Sequence, residues 1–263
     1  MACPLNDDDV NVQRDAVLGH GVDGTVYKGV FRDQVVAVKE LHTRGPRDVR
    51  RLIECSSPHV VRILAHNETQ LVLEYMDMGN LRAHLDMAFK TSSTISFLVK
   101  LQIAYGIAQA LEYFHSMDVV HGAIKSANVL LSTTKGVKLA HGGIAGPRTE
   151  ALWTTAGAPF WTAPEALDVG ATLQPSADIY SLGVILAELD TLKRPYTNTT
   201  MNSFAVLNDV RAGTRRPELR ANCAEWYKRL TLSCLAFDPT ARPSATDVVL
   251  CLRKQLDDES SIA

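Results

Sequence analysis

The chain has 263 residues and a formal net charge of −2, and hydrophobic residues make up 46% of it. These values suit a globular protein with a substantial core, and they exclude the strong positive charge that is typical of proteins that bind nucleic acid or anionic membranes. We therefore expect no nucleic acid and no membrane surface among its partners.

The cysteines indicate a reducing compartment. They are five in number, lie far apart and form no C-x-x-C pair, which favours buried free thiols over disulfides or a zinc site. No charged segment followed by an apolar one opens the chain, so we expect no signal peptide. Apolar runs such as residues 182–186 are far shorter than the ~20 residues that cross a bilayer. The sequence thus predicts a cytoplasmic protein without a membrane span.

A glycine-rich segment follows an acidic stretch at the N-terminus, and we expect residues 1–14 to form a flexible lead-in. Residues 17–28, VLGHGVDGTVYK, place Gly19, Gly21 and Gly24 in G-x-G-x-x-G spacing. That spacing alone fits either a dinucleotide-binding turn or a chance glycine-rich hairpin. A dinucleotide-binding turn leads into a helix, whereas β-branched residues flank a tight turn before Lys39. We therefore predict a glycine-rich β-hairpin, whose glycines would allow the backbone to approach phosphates closely.

Helical and strand-like patterns alternate along the rest of the chain. Gly45-Pro46 predicts the start of a helix that Pro58 closes, and an apolar strand covers residues 71–76. Apolar residues recur at threes and fours over residues 97–115, as in a helix that faces a core. A second long helix, which begins near Ser176, is apolar on most faces and should be buried.

Several segments, in their order, resemble the motifs of protein kinases. VAVK at residues 36–39 is similar to the V-A-I-K strand, and VVHGAIKSANVLL at residues 119–131 to the H-R-D-L-x-x-x-N catalytic loop. GAPFWTAPE at residues 157–165 resembles G-T-P-x-W-x-A-P-E, and SADIYSLG at residues 176–183 resembles D-V-Y-S-L-G. The forms S-x-N-V-L-L and P-F-W-T-A-P-E look most like the tyrosine-kinase-like group of serine/threonine kinases.

The resemblance implies an α+β, bilobal protein-kinase-like fold over residues 15–257. The N-lobe (15–75) would be a small antiparallel β-sheet with one helix, and the C-lobe (81–257) would be larger and mainly helical. A hinge would occupy residues 74–80 and a tail residues 258–263. The resemblance also implies a buried ion pair between Glu165 and Arg242, and it places Asp178 at the start of the central helix.

The same resemblance implies a cleft for ATP. The glycine-rich hairpin would cover the phosphates, and Lys39 would pair with them. Asp48 would pair with Lys39 in place of the usual glutamate. Glu54 lies nearly two helical turns away and is the other acid of this segment. The alternative is that both acids are solvated. Backbone groups of the hinge would bind adenine, and Leu73 would narrow the back of the pocket. The expected cofactor-binding residues are Gly19, Gly21, Gly24, Val26, Ala37, Lys39, Asp48, Glu74, Met76 and Leu130.

The groups that carry the chemistry of the family are replaced in this sequence. Ala123 stands where kinases place the proton-accepting aspartate, Gly122 where they place the arginine that reads a phosphorylated activation loop, and His141 where they place the metal-binding aspartate. Ala158 replaces a threonine that bonds the catalytic aspartate, and Gly142 removes an aromatic ring. Lys125 and Asn128 are retained, and Asn128 is the remaining candidate metal ligand, since one imidazole beside one amide suits magnesium poorly.

Four losses that serve one chemistry predict a pseudokinase. We expect weak ATP binding that does not require magnesium, and a role as scaffold or allosteric regulator of a protein partner such as an active kinase. The alternative is an active serine/threonine kinase with low or rearranged catalysis, in which Asp118 or Glu150 is recruited as the base. Thr149, Thr154 and Thr155 are candidate phosphosites, but without the loop arginine they are better interpreted as solvated.

Overall fold

The computed structural model describes residues 2–6, 9–21, 24–42, 56–140, 159–168 and 170–260. The N-terminal part is a six-stranded sheet in the order β1-β5-β6-β4-β3-β2. All neighbouring strands are antiparallel except β1 and β5. The strands are β1 (Cys3–Pro4), β2 (Val10–Gly21), β3 (Gly24–Phe31), β4 (Gln34–Leu41), β5 (Ile63–His66) and β6 (Gln70–Glu74).

The predicted hairpin is confirmed, and its turn is defined by two residues. Phe31 pairs with Gln34, and the intervening Arg32 and Asp33 have φ of 48° and 61°. Two left-handed residues in a two-residue loop form the turn whose twist matches that of the flanking strands. The β3–β4 pair extends the full length of both strands, so the turn sets the register of the sheet that carries Lys39.

The predicted flexible lead-in is wrong for most of its described residues. Residues 3–4 form β1, which pairs with β5, and β2 already begins at Val10. Leu5 and Val10 are 6% and 8% exposed and pack in the core of this sheet. Asp9, one of the residues that suggested a solvated stretch, is exposed and accepts the backbone N–H of Asn6 at 3.0 Å. Apolar burial therefore outweighs the local acidic composition.

The C-terminal part is mainly helical, as predicted. Its helices are α1 (Leu81–Lys90), α2 (Phe97–Ser116), α3 (Pro175–Thr191), α4 (Ser203–Arg211), α5 (Glu225–Cys234) and α6 (Ala245–Ser260). A small sheet combines β7 (Gly79–Asn80), which precedes α1 in the chain, with β8 (Val129–Ser132) and β9 (Gly136–Leu139), which follow α2. Side chains of Asn80, Ser96 and Asn202 accept backbone N–H groups at the starts of α1, α2 and α4, which is the usual N-cap.

The two long helices predicted from periodicity are confirmed. In α2 the periodic residues are completely buried: Leu101, Ala104, Ala108, Leu111 and Phe114. In α3 every residue from Ala177 to Asp190 is buried. A helix buried on all sides can serve as the axis on which a lobe is assembled, because every neighbouring element packs against it. The bilobal α+β fold is confirmed.

Some predicted elements lie outside the described residues. They include residues 45–55 of the predicted helix, with Asp48 and Glu54, and the segment that contains His141, Gly142 and Ala158. Ser56 and Ser57, the last two residues of that predicted helix, are described and are not helical. At the C-terminus, α6 continues to Ser260, so helix covers the first three residues of the expected tail. The other domain limits stay a prediction.

Candidate active site

One buried carboxylate determines the path of the loop that follows α2. Asp178, 1% exposed in the first turn of α3, accepts the backbone N–H of His121 (2.8 Å) and of Gly122 (2.8 Å) on its two oxygens. The imidazole of His115 lies 3.0 Å from the same carboxylate. Gly122 has φ +67°, a conformation that is costly for residues with a Cβ. Glycine at this position therefore makes the loop conformation easier to adopt.

His121 connects this loop to the strand that precedes residue 141. Its side chain is fully buried; one ring nitrogen, Nε2, lies 3.0 Å from the carbonyl oxygen of Ala140, and the other, Nδ1, accepts the N–H of Ala123 at 3.2 Å. Burial lowers the pKa of His121. A neutral ring with its proton on Nε2 satisfies both contacts, so His121 acts as a spacer between two backbone segments.

Residue 123 is held in place but has no functional side chain. The amide of Asn128 donates to the carbonyl oxygen of Ala123 at 2.7 Å, and the carbonyl oxygen of Asn128 accepts the N–H of Ala140 at 2.8 Å. Lys125 is half-buried, and burial lowers its pKa. In the described ranges no carboxylate or hydroxyl bonds its ammonium group. The loop thus combines a defined shape, a retained cation and a methyl group where an acid would accept a proton.

The expected cleft residues above this loop lie on adjacent strands. Val26 on β3 pairs with Lys39 on β4, and Gly19 on β2 pairs with Val26. A Cβ on Gly24 would lie 2.2 Å from the backbone oxygen of Glu40, whereas a Cβ on Gly19 would meet nothing within 4 Å. Gly24 is therefore required by the sheet itself, while Gly19 borders open space. Gly21 pairs with Gly24 at the end of the hairpin.

The connection between the two lobes presents a backbone donor. Met76 is 5% exposed, and its N–H bonds to no described residue, although its carbonyl accepts the N–H of Gly79 at 3.2 Å. An unpaired N–H in a nearly buried residue is costly unless a ligand or water satisfies it. Ala37 and Leu130, the expected apolar neighbours of adenine, lie on β4 and β8 and are 9% exposed and half-buried respectively. This arrangement fits a planar ring with a hydrogen-bond acceptor.

Comparison with known proteins identifies the family. The model of the protein kinase domain matches residues 12–251. The chain belongs to the protein kinase family. Its identity is 29% to a Dictyostelium discoideum protein named "Probable serine/threonine-protein kinase" over 95% of this chain, and 29% to a serine/threonine/tyrosine-protein kinase of Arabidopsis thaliana over 89% of it. A protein of Acanthamoeba polyphaga mimivirus with the name of a serine/threonine-protein kinase/receptor is 30% identical over 92%.

These relatives are longer than this kinase domain. The chain spans 20%, 64% and 16% of the Dictyostelium, Arabidopsis and mimivirus proteins. The names are consistent with the tyrosine-kinase-like resemblance. Protein kinases use ATP as substrate, typically with magnesium. Within the described ranges no cluster of three His, Cys, Asp or Glu residues is arranged to hold a metal ion, and no described helix is long and apolar enough to cross a membrane.

The hinge of this kinase domain is tied to the β8–β9 hairpin by contacts that the sequence did not predict. Glu74 pairs with Lys138 at 2.6 Å, Lys135 donates to the carbonyl oxygen of Tyr75 at 2.7 Å, and Thr133 donates to Asp77 at 2.6 Å. Hydrogen bonding from Ser132 and Thr133 lowers the pKa of Asp77 to about 2. These partners are more than 50 residues apart in sequence, and no local pattern reveals them.

The structural ion pair expected in the C-lobe is present. Arg242 pairs with both oxygens of Glu165, at 2.7 and 2.8 Å, and its other donors meet backbone carbonyls at 2.8 to 3.2 Å. Its side chain is completely buried. A guanidinium whose donors are all satisfied is the arrangement in which a buried charge is tolerated.

A second buried carboxylate was missed at the sequence level. Glu188 of α3 accepts Arg82 (2.6 Å) and Ser126 (2.9 Å) on one oxygen and the indole N–H of Trp161 (2.7 Å) on the other. It therefore joins α1, the end of the catalytic loop and the segment before Glu165. A glutamate in the middle of a mainly apolar helix, which also carries Asp178 and Asp190, was the available signal. Asp118, a candidate base, is exposed in the turn after α2 with φ +54°.

Proposed function

We propose that this chain is a pseudokinase domain that binds ATP weakly and acts by conformation, as a scaffold or allosteric regulator of a protein partner such as an active kinase in the cytoplasm. The observation that carries the proposal is Ala123. Its N–H and its carbonyl oxygen are bonded to His121 and Asn128, so the loop is held in a defined conformation while residue 123 offers no carboxylate to accept a proton. Asp178, the carboxylate that binds this loop, already accepts the backbone N–H groups of His121 and Gly122 and contacts the imidazole of His115.

The expected turnover rate shows why the absence of a proton-accepting aspartate at residue 123 is decisive. Kinases turn over at ~1–100 s⁻¹, and a positioned general base contributes ~10²–10⁴-fold. His141 in place of the metal-binding aspartate removes charge stabilisation of the transferring phosphoryl group, and such stabilisation is often the largest contribution. The two effects need not multiply. Loss of the base alone lowers turnover to ~10⁻⁴–1 s⁻¹, between about one event per second and one in a few hours. Loss of the metal-binding aspartate lowers it further, to rates that are too slow for ordinary signalling.

The cleft supports nucleotide binding without strong magnesium dependence. Met76 offers an unpaired backbone N–H, Lys39 lies opposite Val26, and Gly19 borders open space. Lys125 is a half-buried ammonium whose pKa burial lowers, and a phosphate near it would compensate its charge. Against these features, Asn128 is the one amide ligand left for a cation that prefers several oxygens. Affinity should therefore be weak, and magnesium should change it little.

The decisive experiment is a transfer assay with labelled ATP, magnesium or manganese, and a general protein substrate. The proposal predicts no transfer above that of a Lys39→Ala variant. Lys39-dependent phosphorylation of the substrate would overturn it. Thermal shift with ATP should show weak stabilisation that is similar with and without magnesium, and a shift that appears only with the metal would contradict the binding part.

A second candidate is a slow serine/threonine kinase with rearranged catalysis. The names of the relatives and the retained Lys125 and Asn128 favour it. It needs an acid other than residue 123, and the candidates are Asp118 and Glu150. The same transfer assay distinguishes the two functions, because a kinase of this kind would lose its activity in Asp118→Asn or Glu150→Gln, while a pseudokinase has none to lose.

A further inference from the structure

A cavity of about 410 Å³ lies in the C-lobe, outside the residues of the nucleotide cleft. It forms where the end of α2, the start of α3 and residues 242–246 at the start of α6 meet. This volume lies within the range of sites that bind small organic molecules. The apolar part of its wall comes from Pro175, Ile179, Pro243 and Ala245, so a compact apolar body would pack against these side chains.

Most polar groups of the wall already have protein partners. Arg242 is satisfied by Glu165 and backbone carbonyls, and the hydroxyl of Ser244 donates to Asp247 at 2.6 Å. Glu112 differs from them. It is half-buried, and its carboxylate makes no hydrogen bond or ion pair with any described residue. A half-buried carboxylate that accepts no hydrogen bond from the described residues favours the approach of a cation or a strong donor.

The charges around the cavity also favour a cation. The positive charge of Arg242 is balanced by Glu165, and His115 faces Asp178. Asp247 accepts the N–H of Ser244 at 3.0 Å and so adds negative charge at the start of α6. Arg253 is near enough to interact electrostatically with Glu112, but its Nε donates to Tyr105, at 2.9 Å. Among the charged groups of the described wall, Arg242 is thus already paired with a carboxylate, whereas Glu112 forms no ion pair.

We propose that this cavity is a binding site for a small organic cation, an amine or guanidinium carried on a compact apolar body, with Glu112 as its charged partner. The site does not depend on nucleotide binding, so it stands apart from the function proposed above.

The cavity is connected to the catalytic loop through one side chain. His115 lines the cavity and contacts Asp178 at 3.0 Å, and Asp178 accepts the N–H groups of His121 and Gly122. A ligand that restrains His115 restrains this carboxylate and both backbone bonds. By linkage, occupancy of the cavity and order in the loop should favour each other.

The test uses three probes of equal shape and different charge: benzylamine, benzyl alcohol and benzoate. Their binding is measured by ligand-observed NMR on the full chain and on Glu112→Gln, Thr246→Trp and Glu68→Gln. Thr246→Trp fills the cavity from an exposed position, and Glu68→Gln removes an exposed carboxylate in the turn between β5 and β6. Thermal unfolding of each variant confirms that it folds.

We expect millimolar binding of benzylamine to the wild type and to Glu68→Gln, weaker binding of benzyl alcohol and none of benzoate. Glu112→Gln should weaken benzylamine about tenfold, and Thr246→Trp should abolish binding. Equal affinity for benzylamine and benzyl alcohol, no effect of Glu112→Gln, or no binding to the wild type would overturn the site. Bound benzylamine should also slow hydrogen exchange at the amides of His121 and Gly122, and unchanged exchange would overturn the connection to the loop.

Discussion

Replacing Glu188 by glutamine tests how the C-lobe is assembled. The Glu188 side chain has no solvent exposure, and all three of its partners, Arg82, Ser126 and Trp161, are hydrogen-bond donors. A carboxylate supplies two acceptor oxygens, whereas a glutamine amide supplies one oxygen and one NH₂ group. In either orientation of the amide, at least one donor faces the NH₂ group, and the charge of Arg82 loses its closest partner.

The size of the effect follows from what remains around Arg82. Removing one partner of a buried ion pair costs ~3–5 kcal/mol, because the other charge is left uncompensated. Arg82 keeps Asp86 at 3.0 Å and the carbonyl oxygen of Leu192 at 3.1 Å, which places the expected loss near the lower end, at ~3 kcal/mol. A domain with a total stability of ~5–15 kcal/mol would lose a large fraction of it.

Urea unfolding at neutral pH, followed by tryptophan fluorescence and circular dichroism, measures this loss. Asp168→Asn is the matched control, since Asp168 forms an exposed pair with Arg211 at 3.3 Å and should contribute ~0–1 kcal/mol. Burial raises the pKa of Glu188, against the hydrogen bond from Trp161 and the charge of Arg82. A protonated glutamate is uncharged, like glutamine, and likewise presents a donor at one of its two terminal atoms. A loss as small as that of the control would therefore show that Glu188 is protonated in the native state, and it would refute the ionic account.

Three further predictions concern the cleft. NMR of the dimethylated protein should show Lys125, like Lys100, titrating below the exposed lysines, because burial lowers the pKa of both. ATP should raise the pKa of Lys125, and no change with ATP would argue against a nearby phosphate. Burial likewise lowers the pKa of His121. As the pH decreases, this histidine therefore takes up its proton first in the unfolded chain, and the free energy of unfolding falls below pH ~6.5. A His121→Asn variant whose unfolding free energy has the same dependence on pH would contradict this. Gly24→Ala should lower the free energy of unfolding in urea by ~1–3 kcal/mol, because the added Cβ would meet the backbone of Glu40. Gly19→Ala should lower it by less than ~1 kcal/mol, because its Cβ would meet nothing. Equal losses would contradict the conclusion that the sheet requires glycine at position 24 only.

Elements determined by neighbouring residues could be predicted from the sequence. The β3–β4 hairpin depends on β-branched strands around a two-residue turn, and α2 on the period of its apolar face. Strand β1 was missed because two residues provide no period, and the acidic residues that follow suggested solvation. Its pairing with β5 depends on burial of Leu5 against strands that come much later in the chain. Tertiary burial of this kind has no local pattern.

In the candidate site, too, some residues could be predicted from the sequence and others could not. Motif spacing located Lys39, Ala123 and Asn128, because each lies at a fixed offset within a short segment. The contacts that hold the site could not be found in this manner. Glu188 and Arg82 are 106 residues apart, and Glu74 and Lys138 are 64 apart. Opposite charges at such separations occur many times in any sequence, so folding has to bring them together before the pair can be recognised.

The catalytic loop keeps its shape because the residues that shape it are not the ones that were lost. Asp178, His121 and Asn128 act on backbone groups of residues 121–123 and 140. Those contacts do not involve the side chains at positions 122 and 123. At position 122 the replacement even favours the observed conformation, since a residue with a Cβ at φ +67° costs ~1–2 kcal/mol. This loop conformation therefore does not need an arginine at position 122 or an aspartate at position 123, which is consistent with the pseudokinase proposed above.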